Sequence, residues 1–241
     1  LAFGLITGFT SGFFGIGGGS ILIPMLLVAG FAMKEAVAIS IMQMVFSSIY
    51  GSFLNSKKIK GLFRDGIILG VGASVGGLFS GYFLPSIPDI YLQYLFIAVL
   101  IYTIYTLFKA PASQEVIQED KNIFLLAFIG FCVGIFAMSI GIGGSLMLLP
   151  ILVQFLKYDL KVATALGLFF VIFSSIGGFI STSLYGNMLY YEGAIIGIGS
   201  LIGVYFGIKI KEKTKSTSYK KFVLLLNLFV LATMIYKTVE F

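Results

Sequence analysis

The chain alternates long apolar runs with short polar breaks, and the length of each run indicates what it forms. A membrane-spanning helix needs about 20 consecutive apolar residues. Six unbroken runs are of suitable length, and each predicts one crossing: residues 36–54, 66–84, 90–108, 162–184, 188–208 and 218–237. Two longer runs, 1–29 and 122–156, are interrupted by glycines and do not suit a single helix. The pattern predicts an all-α integral membrane protein.

Basic residues in the breaks predict which side of the membrane each break faces, because Lys and Arg concentrate in cytoplasmic loops. The breaks at 55–64 and 209–221 are rich in Lys and Arg, and the linker at 110–121 has lysines at its ends, whereas 84–90 and 185–192 have none. An odd number of crossings must separate the inner linker from the outer break at 185–192, yet two apolar segments lie between them. The glycine-broken run 122–156 is therefore predicted to re-enter on its own side.

The first half of the chain gives the mirror image of this arrangement. We predict two inverted-topology repeats, each with three transmembrane helices plus one Gly-broken re-entrant segment. Residues 1–109 form the first repeat, 110–121 a cytoplasmic linker and 122–241 the second repeat. The sequence itself repeats: GIGGGSILIP at 15–24 matches GIGGSLMLLP at 141–150, and FSSI occurs at 46–49 and at 173–176. Inverted repeats are a recognised plan of secondary transporters, whose site lies between the repeats near the membrane midplane.

The glycine-rich breaks carry the predicted chemistry. Four glycines in five residues unwind a helix, and the half-helix that follows presents free N–H groups and partial positive charge, which favour anions. Irregular backbone at membrane depth is tolerated only where protein buries it or a watery cavity adjoins it. Two breaks that meet at the centre predict a small anion-binding site without a charged side chain, which Ser20 and Ser145 cap or line. The candidate substrate-binding residues are Gly15, Gly17, Gly18, Gly19, Ser20, Gln43, Ser47, Gly141, Gly143, Gly144, Ser145 and Ser174.

Close helix packing is the alternative explanation for any of these glycines, since small residues spaced four apart favour it. We favour packing for the sets Gly72/Gly76 and Gly199/Gly203/Gly207, and a functional break for the doubled blocks. Ser47 and Ser174 equally suit bonds to their own helices. Gln43 must face the interior, because an amide in hydrocarbon needs a partner, and contact with substrate stays open. Candidates of lower rank are Ser11, Ser40, Ser48, Ser139, Thr164 and Ser175.

Composition narrows the class further. The chain is 59% hydrophobic and 11% charged, whereas a soluble domain has about 25% charged residues. There is no His, and the acidic and basic residues lie at segment ends or in loops, so no buried proton relay is visible. The net charge of +6 fits loops that face anionic headgroups rather than nucleic acid. Cys132 stands alone and offers no disulfide or metal framework; no cofactor and no metal are predicted.

At the glycine blocks the chain resembles the TauE/SafE family of sulfite exporter-like permeases. The resemblance rests on GFFGIGGG at 12–19 followed by Pro24, on GIGG at 141–144 followed by Pro150, and on the two-half layout, and it covers essentially the whole chain. Ser145 stands where the first copy has Gly19, and Phe170 answers Gln43, so the half-sites are not equivalent. The resemblance implies export or exchange of sulfite, sulfonates or related small sulfur-containing anions across the prokaryotic plasma membrane, and it does not name the substrate.

Alternating-access transport of a small anion is the leading hypothesis, with the lipid bilayer as surroundings and coupling to a proton or another ion left open. A passive channel is the first alternative, because aquaporins share this plan, although their Asn-Pro-Ala signature is absent. A non-transporting membrane subunit is the second. A soluble nucleotide-binding loop and an intramembrane enzyme are disfavoured, since the required motifs and catalytic groups are missing. The sequence gives neither the direction of transport nor the oligomeric state, and because it begins at Leu1 we expect the native start to be missing.

Overall fold

The computed structural model describes residues 1–55, 63–109, 122–156, 158, 160–186, 188–214 and 216–239, and this part of the chain is helical, without a β-strand. The predicted linker at 110–121 and the basic residues at 56–62 lie outside the described residues. The helices are α1 Ala2–Phe14, α2 Gly19–Val28, α3 Met33–Asn55, α4 Phe63–Phe83, α5 Asp89–Lys109, α6 Ile123–Ser139, α7 Ser145–Pro150, α8 Leu160–Tyr185, α9 Tyr190–Lys213 and α10 Ser216–Val239. A 3₁₀ turn, Leu84–Ser86, follows α4, and a π-helical turn, Ile151–Phe155, follows α7.

Six of these helices are long and apolar enough to cross a membrane, namely α3, α4, α5, α8, α9 and α10. They coincide with the six unbroken apolar runs, so the predicted membrane helices and the all-α class are confirmed. Helices α3 and α8 lie at the centre, because 61% and 67% of the residues in their apolar 18-residue stretches are buried. Helix α10 lies at the periphery, with 28% of the corresponding stretch buried. The periphery exposes large apolar side chains such as Phe108 and Phe229, as a lipid-facing surface requires.

Glycines bring helices of the two chain halves into backbone contact. Helix α1 packs along α9, where a methyl group added to Gly8 would lie 2.0 Å from the carbonyl oxygen of Ser200. Helix α6 packs along α4, where a methyl group on Gly72 would lie 2.2 Å from the carbonyl oxygen of Ala127. The prediction that the regularly spaced glycines serve close packing is confirmed, because no larger residue fits these interfaces.

Helix α4 also packs on α8, and the order of the contacts fixes their relative direction. Gly66 faces the ring of Phe169, and one turn later Gly70 faces the ring of Phe173. Contacts that advance together along both helices mean that α4 and α8 run in the same direction.

Helices α9 and α3 form the corresponding interface. Gly193 faces the side chain of Met42, and Gly197 faces the ring of Phe46. These helices also run in the same direction, and each contact recurs at equivalent positions 127 residues away in the α4–α8 pair.

Pro150 shapes the helix after the second glycine run. Proline removes a backbone donor and disturbs the preceding turn. The chain continues as the π-helical turn, which closes with the Leu156 N–H donating to the carbonyl oxygen of Ile151 (3.1 Å). Tyr158 follows and donates its hydroxyl to Asp65 at the start of α4 (2.6 Å). Burial, reinforced by this carboxylate, raises the pKa of Tyr158, so the hydroxyl keeps its proton.

Candidate functional site

The first glycine run interrupts the helix, as predicted. Helix α1 ends at Phe14. Gly15 follows it in a left-handed conformation with φ 69°, and Gly17 and Gly18 have φ values of 77° and 79°. Only glycine adopts such values without strain. Helix α2 then begins at Gly19 with its N-terminal end at the break.

The second glycine run repeats this conformation. Gly141, Gly143 and Gly144 have φ values of 67°, 91° and 71°, and α7 begins at Ser145. The first amides of a helix have no partner within the helix. Both breaks therefore place a helix N-terminal end, with its donors and partial positive charge, in the buried interior.

The two breaks touch each other at the centre of the molecule. A methyl group added to Gly19 would lie 2.1 Å from the carbonyl oxygen of Gly141, and one added to Gly143 would lie 3.7 Å from the Cα of Gly17. The Ser40 hydroxyl on α3 lies within hydrogen-bonding distance of the same Gly141 carbonyl oxygen (3.0 Å) and of the Val37 carbonyl oxygen in its own helix (2.8 Å), so its single proton is shared between the two. The structure thus brings the predicted glycine candidates together.

Met44 on α3 lies where the breaks meet, and the sequence analysis missed it. Its Sδ would be 3.3 Å from a methyl group on Gly17, 3.2 Å from one on Gly19 and 2.5 Å from one on Gly143. Its side chain is fully buried. An apolar residue inside an apolar run carries no signal of such a position. Its adjacency to Gln43 was the only available hint.

Gln43 contacts the first break. A methyl group on Gly18 would lie 2.9 Å from its Oε1 and 3.0 Å from its Nε2. The side chain is fully buried, and neither amide atom has a hydrogen-bond partner among the described residues. Buried amides are normally bonded, and an exception in a native structure calls for a water, an ion or a ligand. The prediction that Gln43 faces the interior is confirmed.

Ser20 and Ser145 stand at the N-terminal ends of α2 and α7. Both are buried, and within the described part of the chain neither hydroxyl has a hydrogen-bond partner. Of the two predicted roles, capping or lining, capping is excluded, because Gly18 and Gly144 occupy the cap positions and no side chain bonds the first turn. The hydroxyls remain available to line the junction.

Ser47 and Ser174 occupy equivalent places on α3 and α8, and both bond their own helices. The Ser47 hydroxyl donates to the carbonyl oxygen of Met44 and the Ser174 hydroxyl to that of Val171, each at a long 3.4 Å. Both side chains are buried. Their role in binding stays a prediction.

A buried lysine near the first break was also missed. Lys211, in the last turn of α9, has 2% of its side chain exposed and donates to the Thr164 hydroxyl (2.8 Å). Thr164 in turn lies against the first break, since a methyl group on Gly15 would be 2.4 Å from its carbonyl oxygen. The sequence analysis placed Lys211 in a basic loop, because five other lysines surround it at 209–221.

The fold and this junction define a multi-pass integral membrane protein whose buried centre consists of helix ends, glycines and small polar side chains. Comparison with known sequences identifies the family of the protein. The profile of the family described as sulfite exporter TauE/SafE matches residues 1–234, and the chain belongs to this family. It is therefore a membrane transporter for a small solute and not an enzyme.

Curated relatives carry the same general description. The chain is 29% identical over 227 residues to the probable membrane transporter protein MJ0441 of Methanocaldococcus jannaschii, covering 87% of this chain and 84% of the relative. It is 25% identical to YdhB and 23% identical to YunE, both described as probable membrane transporter proteins of Bacillus subtilis, over 85% and 88% of this chain and 86% and 88% of the relatives. No solved structure matches significantly.

Proposed function

We propose that the protein exports small sulfur-containing anions, such as sulfite or organosulfonates, across the prokaryotic plasma membrane. The anion binds where the two glycine breaks meet, and the two halves of the chain move about it to expose it to each side in turn. One observation carries the proposal: Ser20, Ser145 and Gln43 are buried at this junction without hydrogen-bond partners in the described chain.

The chemistry of the junction suits an oxyanion. Hydroxyl and amide N–H groups donate hydrogen bonds to anionic oxygens, and two helix N-terminal ends supply partial positive charge. Preformed dipoles bind an anion without the large desolvation cost of a buried charged side chain at the same place. The two half-sites differ, because Ser145 replaces Gly19 and Phe170 replaces Gln43.

Inverted repeats support this mechanism. Helix α4 runs in the same direction as α8, whose counterpart in the first repeat is α3. Eight Cα–Cα steps separate the end of α3 from the start of α4, and they reach at most about 29 Å when fully extended, less than the hydrocarbon core of about 30 Å. We therefore infer that α3 runs opposite to α4 and also to α8, as inversion requires. Repeats that pack across each other in this way suit a rocking motion about a central site.

We propose that both broken runs form re-entrant hairpins, and contacts within the first run support this. A methyl group on Gly18, at the start of α2, would lie 3.0 Å from the carbonyl oxygen of Thr7 in α1. The beginning of α1 and the end of α2 also share a groove, which Phe3 and Val28 both line. Contacts at both ends of α2 indicate that this helix folds back beside α1, so that the break forms the buried tip of a hairpin.

A matched pair of glycine variants tests the proposed function. Gly143 and Gly30 have φ values of 91° and 94°, so alanine at either position is strained by about 1 kcal/mol. Only Gly143 lies at the junction, whereas a methyl group on Gly30 meets open space. We expect Gly143→Ala to reduce sulfite flux in proteoliposomes by at least about tenfold, the equivalent of about 1.4 kcal/mol.

Gly30→Ala should insert equally well and retain flux. Equal flux in the two variants would contradict a transport site at the breaks, and the absence of sulfite or sulfonate flux in the unaltered protein would contradict the proposed substrate class.

A further inference from the structure

Among the residues whose side chains the structure describes, Lys211 is the one charged residue that is buried. Its ammonium group donates to the Thr164 hydroxyl and lies 5.7 Å from the centre of the Tyr219 ring. The Tyr219 hydroxyl donates to the carbonyl oxygen of Phe14, the last residue of α1 (2.9 Å). The cation therefore belongs to a buried cluster that contacts the first glycine break from the end of the molecule where α9 finishes.

The fold does not require this cluster. In the sequence repeat Lys211 corresponds to Leu84, and Thr164 corresponds to Val37. The packing is also equivalent, because a methyl group on Gly141 would lie 3.0 Å from the Cα of Val37, as Gly15 lies against Thr164. Leucine and valine thus satisfy the same packing at the opposite end of the molecule.

A purely structural explanation is that Lys211 neutralises the partial negative charge at the C-terminal end of α1. The equivalent helix α6 ends at Ser139 and has Leu84 at the matching position, so the fold forms such an end without a lysine. Because the fold forms the equivalent end without a lysine, the presence of a buried lysine at a single end indicates a role in function.

The two ends differ in the side chains that they present. Leu84 and Ala38 are buried and line a cavity of about 340 Å³ together with Thr182. At the other end, Lys211 and Ala165, which corresponds to Ala38, are buried as well, so the difference between the ends is the buried ammonium group. An anion that leaves the junction past Gly15 meets Thr164 and the Lys211 ammonium group that donates to it.

We propose that Lys211 is a second binding position for the transported anion, on the α9 side of the first glycine break. This inference rests on the proposed function. When this end opens, the oxyanion exchanges the donors of the junction for the Lys211 ammonium group and the hydroxyl of Thr164, the residue that packs against Gly15. The charges that line the opposite cavity, Lys34 and Glu35, are not buried. The buried Lys211 charge therefore makes the affinity for the anion unequal on the two sides of the membrane, and Lys211 is a determinant of specificity for anions.

Kinetics of sulfite flux in proteoliposomes test this role, with Lys209→Met as the matched control. Lys209 lies on the same helix and stacks over Tyr205, but it is exposed. We expect Lys211→Met to raise the KM for sulfite by at least about tenfold and to reduce the sulfite-induced rise in Tm, because a charged hydrogen bond to the anion is lost while the junction still binds it. Lys211→Arg should recover part of the affinity, and Lys209→Met should behave as the unaltered protein.

A double variant separates binding from packing. Lys211→Leu combined with Thr164→Val copies the Leu84–Val37 pair, so it should fold with an unchanged or higher Tm while the KM for sulfite rises. A KM equal to that of the unaltered protein in this variant or in Lys211→Met overturns the inference and leaves the proposed function standing. If the unaltered protein moves no anion, the proposed function fails and this inference fails with it.

Discussion

At the scale of single residues, the notable feature is polarity that is buried and left without a partner. A buried amide without a hydrogen bond costs about 1–3 kcal/mol. Gln43 carries this cost at the contact with Gly18, and Ser20 and Ser145 carry smaller costs nearby. Proteins accept such costs mostly at functional sites, where a ligand supplies the missing bonds.

Gln43→Leu tests whether the unpaired amide lowers stability and contributes to transport. We expect the variant to be about 1–3 kcal/mol more stable, or at least no less stable, because an apolar side chain of similar size removes the unpaired amide. Sulfite flux should fall at the same time, because a donor to the anion is lost. Thermal unfolding in detergent and flux in proteoliposomes measure the two effects.

Asn227→Leu provides the control for that measurement, since the Asn227 amide donates to the carbonyl oxygen of Val223 (2.7 Å) and is not at the breaks. It should keep its flux. A Gln43→Leu protein that is destabilised and transports normally would show that the amide serves packing alone.

At the scale of elements, periodic signals in the sequence predicted most of the fold. The six membrane helices follow from run length, and the glycine interfaces follow from small residues spaced four apart, as at Gly72 and Gly76. The breaks follow from glycine density, because glycine adopts the positive φ that three residues of each break require without strain.

The sequence did not predict features that depend on contacts between residues far apart in the chain. Met44 has no sequence signal that distinguishes it from other apolar residues of α3, yet it lies between both breaks. Lys211 lies among loop lysines in the sequence, and only its contacts with Thr164 of α8 and Tyr219 of α10 show that it is buried. The capping role of Ser20 and Ser145 was wrong because glycines already occupy the cap positions in left-handed conformations.

At the scale of the whole molecule, helices of one half pack against helices of the other half. The parallel pair of α4 and α8 has its equivalent in the parallel pair of α9 and α3. The equivalent contacts of Gly66 with Phe169 and of Gly193 with Met42 mean that neither half buries its apolar face alone. A transporter built in this way needs opposite orientations of its halves to present one site to both sides.

Accessibility of equivalent positions tests this orientation. Ser86 and Lys213 are exposed and lie 127 residues apart, at the ends of α4 and α9. Cys132 is the only cysteine in the chain, so Cys132→Ser gives a background without thiols. On intact cells, a membrane-impermeant thiol reagent should label Ser86→Cys, whereas Lys213→Cys should react only after permeabilisation. Identical labelling of the two positions would show that the repeats are not inverted.

The central claim is that an anion binds between the two glycine breaks, and equilibrium binding of radiolabelled sulfite to the purified protein measures this most directly. We predict saturable binding that Ser20→Ala combined with Ser145→Ala weakens by at least about tenfold, since two donors to the anion are removed. Ser80→Ala, which removes a buried hydroxyl already bonded to Gly77 in α4 (2.7 Å), should bind as the unaltered protein does. Equal affinity in all three proteins, or no saturable binding in the unaltered one, would contradict the account.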